Sequence, residues 1–398
     1  MRFDQNKLLH LVLVAILIVV LLSQLIIISS SHEQVPFIEI SSSYEIVPAQ
    51  SEVIVSKEFF FKNTDISTNY RRGYYNYIYT AIPSNVEQVN VYNGANTLNF
   101  YEAETEPGYY KIEFDERVWY SDTYSFNIEY KKPVDEIVSD DLFLFYLYER
   151  GNNVDVTILY PEEYILYFPF DDISVEYRDH DKDSTSMSAI GIDEWNRNYL
   201  IEVHSSDLKR TETIEKVYSN NEDISIIVHY YEGEDEWAQH MIEYANTSLH
   251  LMEELTGTPY PNNYDINIYQ SIRYETWGYG GLNKGSAGIY LLHSENEITL
   301  IHEIAHYWTR NEMYEHAWLD EGYAELYTYL VLKNIDQVKA EKKKINMFNT
   351  YYENKDIYSI DLDKWEIPEN LDKDNFRETH YVYNKAFVTL YKKYGYKN

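Results

Sequence analysis

The sequence predicts a multidomain chain: an N-terminal transmembrane helix, an all-β saddle or sandwich domain, then an α+β domain. Three observations carry this. Leu8 to Ile28 is apolar and uncharged, period-two alternation dominates from about Pro48 to about Ser219, and helical periodicity returns from about Tyr230. The 398 residues suit roughly two or three domains. The expected boundaries are a cytoplasmic tail over 1–7, an anchor over 8–28, a stalk over 29–47, the β domain over 48–219 and the α+β domain over 220–398.

As a helix, residues 8–28 would span about 31 Å, which matches a hydrocarbon core of about 30 Å. The rival is a cleaved signal peptide, whose apolar region is shorter and ends in small residues at the cut. Here Leu25-Ile26-Ile27-Ile28 runs into Ser29-Ser30-Ser31 with no Ala-x-Ala pattern. Arg2 and Lys7 precede the run, and no Lys or Arg follows until Lys57. The positive-inside rule then places the N-terminus in the cytoplasm and the rest outside a cell membrane crossed once. The lipid bilayer is thus an expected partner, through residues 8–28.

Composition narrows the function. The chain carries 66 Asp and Glu against 33 Lys and Arg, a formal charge of −33. Such a surface repels phosphate backbones, so nucleic acid is excluded as a general partner. Cysteine is absent, which removes disulfides, thiolate metal sites and thiol nucleophiles. Any metal must be held by histidines and carboxylates.

In the β region, Tyr124, Phe126, Ile128 and Tyr130 alternate with polar residues, as do Val154, Val156 and Ile158. That pattern is a strand with one face buried and one wet. Asn93-Gly94, Pro107-Gly108 and Gly151-Asn152-Asn153 punctuate the runs as turns. Further on, Asp235 can cap a helix reaching about Leu255. Met241, Ala245, Leu249 and Met252 fall on one face, and Gly257 stops it. Tyr264 to Tyr269 alternates as a strand, Ile289 to Leu292 reads as another, and helical spacing resumes near Glu295.

The chemistry sits in His302-Glu303-Ile304-Ala305-His306. Residues four apart share a helix face, so both imidazoles point one way. This suits two nitrogen ligands at about 2.0–2.1 Å from one zinc ion. Glu303 falls beside such an ion, placed to take a proton from water. A catalytic zinc needs a third protein ligand and an open position.

Downstream stands Trp318-Leu319-Asp320-Glu321-Gly322-Tyr323-Ala324-Glu325. Together, His-Glu-x-x-His and Trp-Leu-x-Glu-Gly-x-Ala resemble the gluzincin zinc metallopeptidases, in particular the membrane alanyl aminopeptidase and leukotriene-hydrolase family. The resemblance implies a thermolysin-like fold for the α+β domain and Glu321 as third zinc ligand. Only 14 residues separate His306 from Glu321, fewer than in the family, whose spacing would land on Glu325. The Trp-Leu-x-Glu-Gly-x-Ala frame favours Glu321. Glu325, one turn on, is then implied to orient a ligand histidine through a hydrogen bond. Tyr383-Asn384-Lys385-Ala386 resembles the family's Tyr-x-Lys-Gly element, which implies Tyr383 as oxyanion donor, with Tyr381 the alternative.

The family's amine-binding Gly-x-Met-Glu-Asn segment has no full counterpart. At the comparable place stands Gly278-Tyr279-Gly280-Gly281-Leu282-Asn283, without a glutamate. Gly280, Gly281, Leu282 and Asn283 are expected to pair with substrate backbone as an edge strand. The α-amine anchor is missing unless Glu275 or another acid supplies it. The expected activity is therefore peptide hydrolysis at one zinc ion, with aminopeptidase and endopeptidase action both open. The alternative is an inactive surface protein on the same fold.

Overall fold

The computed structural model describes residues 36–66, 69, 73–103, 108–167, 175–181, 184–195, 198–220, 222–309, 316–368 and 373–395. The anchor expected over 8–28 lies outside them. Among the described residues, no helix is long and apolar enough to cross a membrane.

The expected succession of a transmembrane helix, an all-β saddle and an α+β thermolysin-like domain is corrected to a mixed α/β structure. It contains four β-sheets and, among the described residues, five α-helices. The reason lies in the pairing. Glu222–Tyr230 runs parallel to Ile266–Ser271, which runs parallel to Ile289–Leu292. The helix α1, Asp235–Thr256, makes the first crossover. Parallel pairing also occurs earlier, between Phe37–Val47 and Gly151–Pro161. Alternation in the sequence reports which face is buried. It is silent on the direction of a partner strand.

The largest sheet has eight strands in the order Val175–Asp181, Ser184–Trp195, Gly151–Pro161, Phe37–Val47, Glu52–Lys62, Thr123–Pro133, Glu87–Asn93 and Asn96–Thr97. Phe37–Val47 lies inside the expected stalk, yet it is paired on both sides. Its Ile40, Tyr44 and Ile46 are buried, as are Val53, Val55, Phe59 and Phe61 on the next strand. A four-stranded sheet, Tyr164–Tyr167, Asn198–Ser205, Leu142–Tyr148 and Glu136–Ser139, shares this core through Phe143, Phe145, Leu147, Ile201 and Val203. Phe59 and Phe126 stack at 4.7 Å. Truncating either to alanine would cost about 3–5 kcal/mol. Tyr74–Ala81, Tyr109–Trp119 and Phe100–Glu102 form a third sheet.

The fourth sheet carries the site. Its order is Glu212–Asn220, Glu222–Tyr230, Ile266–Ser271, Ile289–Leu292 and Gly281–Asn283. The hairpin Glu212–Tyr230 belongs wholly to it and straddles the expected boundary at 219 and 220. α1 begins at Asp235 with Glu234 at the N-cap position, so Asp235 opens the first turn instead of capping it, and accepts from the Tyr230 hydroxyl at 3.0 Å. Gly257 ends α1 with φ 68°, donating its N–H to Glu253 O, since only a residue without Cβ enters that region cheaply.

Four more helices complete this half: α2 (Glu297–Thr309), α3 (Ala317–Ile335), α4 (Gln337–Asn354) and α5 (Lys373–Leu390). Met241, Ala245 and Leu249 of α1, Ile301 and Ile304 of α2, and Val331 of α3 meet Ile226, Ile268 and Leu291 of the sheet in one core. α2 is pinned at its start, where Asn296 Oδ1 accepts the Ile298 N–H at 2.9 Å. Glu297 there pairs with His240 at 3.0 Å and with Lys339.

Candidate metal centre

α2 presents His302 and His306 on one face because they lie one turn apart, while Leu300, Ile301, Ile304 and Ala305 face the core. The two rings stand edge-on at 4.8 Å. Their Nε2 atoms are 3.2 Å apart. Glu321 Oε2, from the first turns of α3, lies 3.2 Å from His302 Nε2 and 3.7 Å from His306 Nε2. A tetrahedral ion with bonds of about 2.0–2.1 Å has ligand-to-ligand edges of about 3.3–3.4 Å. The three atoms thus form one face of such a tetrahedron within a few tenths of an ångström, and this buried group could hold a metal ion.

Glu325 sits on the other side of the His302 ring. Its Oε1 is 3.5 Å from His302 Nδ1, and its Oε2 is 2.5 Å from Lys343 Nζ on α4. Burial opposes its charge, yet Lys343 and His302 hold the carboxyl below its ordinary range. For His302, burial works against the charged ring, but Glu325, Glu321 and Glu303 outweigh it and raise the pKa to about 9. The site is therefore rich in negative charge, as a cation site must be.

Glu303 is held at two points by one residue. Asn283 donates its backbone N–H to Glu303 Oε2 at 2.8 Å and its side-chain amide to Glu303 O at 2.6 Å. Asn283, expected beside substrate, thus also holds Glu303. Gly281 is glycine for steric reasons. A Cβ there would lie 2.8 Å from Glu303 Cγ and 2.7 Å from Thr299 Cγ2. At Gly280, a Cβ would meet the Glu295 carboxylate at 2.6 Å. Leu282 is half-buried between them. Among the described residues Gly281–Asn283 pairs only with Ile289–Leu292, which leaves it an edge strand beside α2.

Tyr383 on α5 reaches the same place. A Cβ on Gly322 would clash with Leu390 and Ala386, so that glycine lets α3 and α5 cross closely. The Tyr383 ring lies nearly parallel to His302 at 6.3 Å, with Trp365 edge-on at 6.0 Å. Burial, then the charges of Glu321, Tyr279, Glu303 and Glu325, push its phenol well above the ordinary value, so it stays protonated. Tyr381, two residues earlier, points away and packs on Tyr351 and Tyr358. Glu275 pairs with Arg210 and accepts the Ile272 N–H at 3.2 Å, both through Oε2.

Asp320 escaped the sequence reading. Its Oδ1 lies 2.9 Å from His306 Nδ1 and accepts from Thr309 Oγ1 at 2.6 Å. This fixes which nitrogen His306 turns toward Glu321. The signal was there: an acid one residue before Glu321, and a threonine one turn after His306. Lys343 had none, since it arrives from a separate helix.

No family model matches the chain, and no curated protein matches it either.

Proposed function

We propose that the chain is a zinc-dependent peptidase that hydrolyses peptide bonds at the His302–His306–Glu321 centre. The observation that carries this reading is convergence: two imidazole nitrogens and one carboxylate oxygen meet at tetrahedral spacing, with a second acid, Glu303, clamped beside them. The resemblance to gluzincin peptidases supports the same assignment. A zinc ion held there would polarise a carbonyl and lower the pKa of water to about 7. Glu303 has one oxygen tied to Asn283 and the other available to take a proton from the attacking water and pass it to the leaving amine. Tyr383 donates to the oxyanion as charge develops on it. Glu325 and Asp320 hold the two imidazoles by their outer nitrogens.

Arg210 offsets the Glu275 charge, which weakens that carboxylate as an anchor for a free substrate N-terminus, and the reading favours cleavage that does not require one. The test uses the parent chain and Glu303→Gln on a peptide with a free N-terminus and on its N-acetylated twin, with metal content assayed. About one ion per chain is expected in both proteins, with cleavage of both peptides by the parent and a loss of about 10²–10⁴ in the variant. Cleavage of the free peptide alone would return the aminopeptidase reading and point to Glu295, which lies against Gly280. Full metal without cleavage would favour a non-catalytic surface protein. A chain that binds no metal would sink the site.

A further inference from the structure

The segment that clamps Glu303 runs from Ser271 to Ile289–Leu292 of the five-stranded sheet and contains the sheet's edge strand, Gly281–Asn283. Its ends are tied together: the His293 N–H donates to Ser271 O at 2.9 Å, and the Leu292 N–H to Gly280 O at 2.8 Å. One side chain from the β-rich half meets both ends. Glu202, on Asn198–Ser205 of the four-stranded sheet, is 2% exposed. Its carboxylate accepts the Arg273 backbone N–H at 3.2 Å on Oε1 and 3.4 Å on Oε2. Its Oε2 also lies 3.4 Å from His293 Nε2. Val138, Leu142, Leu144, Tyr231 and Ile272 close an apolar cluster at this junction.

A carboxylate this deeply buried is costly unless its partners are fixed. Here the hydrogen-bonded partner is the Arg273 N–H, where the clamp segment begins, and His293, where it ends, lies at ion-pair distance with no side-chain hydrogen bond among the described residues. Between them lie Gly280, Gly281 and Asn283, which pack on or hydrogen-bond Glu295 and Glu303. We propose that Glu202 is a positioning residue for the reaction: through the Arg273 N–H it fixes the start of the segment whose Asn283 holds Glu303. It touches neither substrate nor reacting atoms. The inference rests on the peptidase reading and makes the β-rich half part of the site's alignment.

The test is made on the full chain with Glu202→Ala and Glu202→Gln. Hydrogen exchange of residues 279–284 is followed beside kcat, KM and metal content. In Glu202→Ala, exchange over 279–284 should rise about tenfold or more. Its kcat should fall about tenfold or more, with KM and metal content little changed. Glu202→Gln, whose amide oxygen still accepts the Arg273 N–H, should recover most of both. Should Glu202→Ala fail to fold, Glu202→Asp, one methylene short of Arg273, replaces it with the same readouts. Unchanged exchange over 279–284 in a folded Glu202→Ala or Glu202→Asp chain would overturn the proposal, as would unchanged kcat. A parent chain that holds metal yet cleaves nothing would sink the peptidase reading instead, and the exchange data would still decide the role of Glu202.

Discussion

Two buried carboxylates, each facing a lysine, sit in the two halves of the molecule and serve different ends. In the β-rich half, Glu149 lies 3.0 Å from Lys57 and accepts from the Tyr44 hydroxyl at 2.6 Å. In the helical half, Glu325 lies 2.5 Å from Lys343 and 3.5 Å from His302 Nδ1. Burial and ion pairing are common to both, so neither property marks function. In the first cluster Lys57 also donates to Tyr148 O, and among the described residues no set of ligand atoms converges there on a common point. The second orients a ring whose other nitrogen is aimed, with His306 and Glu321, at a point none of them occupies. Convergence on an outside atom is what separates a site from a well-packed core.

The sharpest way to break this comparison is Lys57→Ala. It leaves Glu149 buried without its counter-charge and should cost about 3–5 kcal/mol in urea unfolding, with metal content unaltered. A loss of metal in that variant would show that the two clusters are not independent. Metal removal probes the other side. At a free-ion concentration a hundredfold above Kd, bound metal should add about 2.7 kcal/mol to stability. Chelation should then strip exchange protection from α2 and α3 and leave the Glu52–Lys62 strand protected. Uniform loss across both halves would break the distinction.

A smaller effect sharpens it. Asp320→Ala should weaken metal binding about 10–100-fold by freeing His306 to turn, and Asp320→Asn, which keeps an acceptor, should lose less. Equal losses in competition titrations would assign the effect to charge rather than to orientation. The smallest effect is a pH dependence in the closed half. Burial pushes the Lys132 ammonium below its ordinary 10.5, with Asp135 offsetting part of the shift. Between the lowered and ordinary values the unfolded chain binds more protons, so this residue makes stability rise with pH in that window. In Lys132→Met that rise is absent. The variant-minus-parent difference in unfolding free energy should therefore fall as pH climbs toward 10.5.

How much of this the sequence revealed follows from the range of the interactions. The two imidazoles and Glu303 are set by spacing on a single helix, and Glu321 by a short motif on the next. α1 was visible because Met241, Ala245, Leu249 and Met252 repeat at helical period and Gly257 ends them. Strand direction was not visible, nor was the strand in the expected stalk. Phe37–Val47 carries serines at 41, 42 and 43, which dilute its alternation. Lys57 and Lys132 occupy inward positions of strands that otherwise alternate cleanly, and only the structure reveals the acids that receive them. The hydrogen bonds of Asn283 to Glu303 were not visible, because they depend on how an edge strand folds back over α2.

That edge strand has one more consequence. It is three residues long, or about 10 Å at the usual rise. An edge of that length can fix the register of one extended chain laid beside it. It is too short to template sheet growth between copies of the protein, the hazard that longer bare edges carry. On the peptidase reading, a strand left open for substrate is thereby kept from becoming a seam for aggregation.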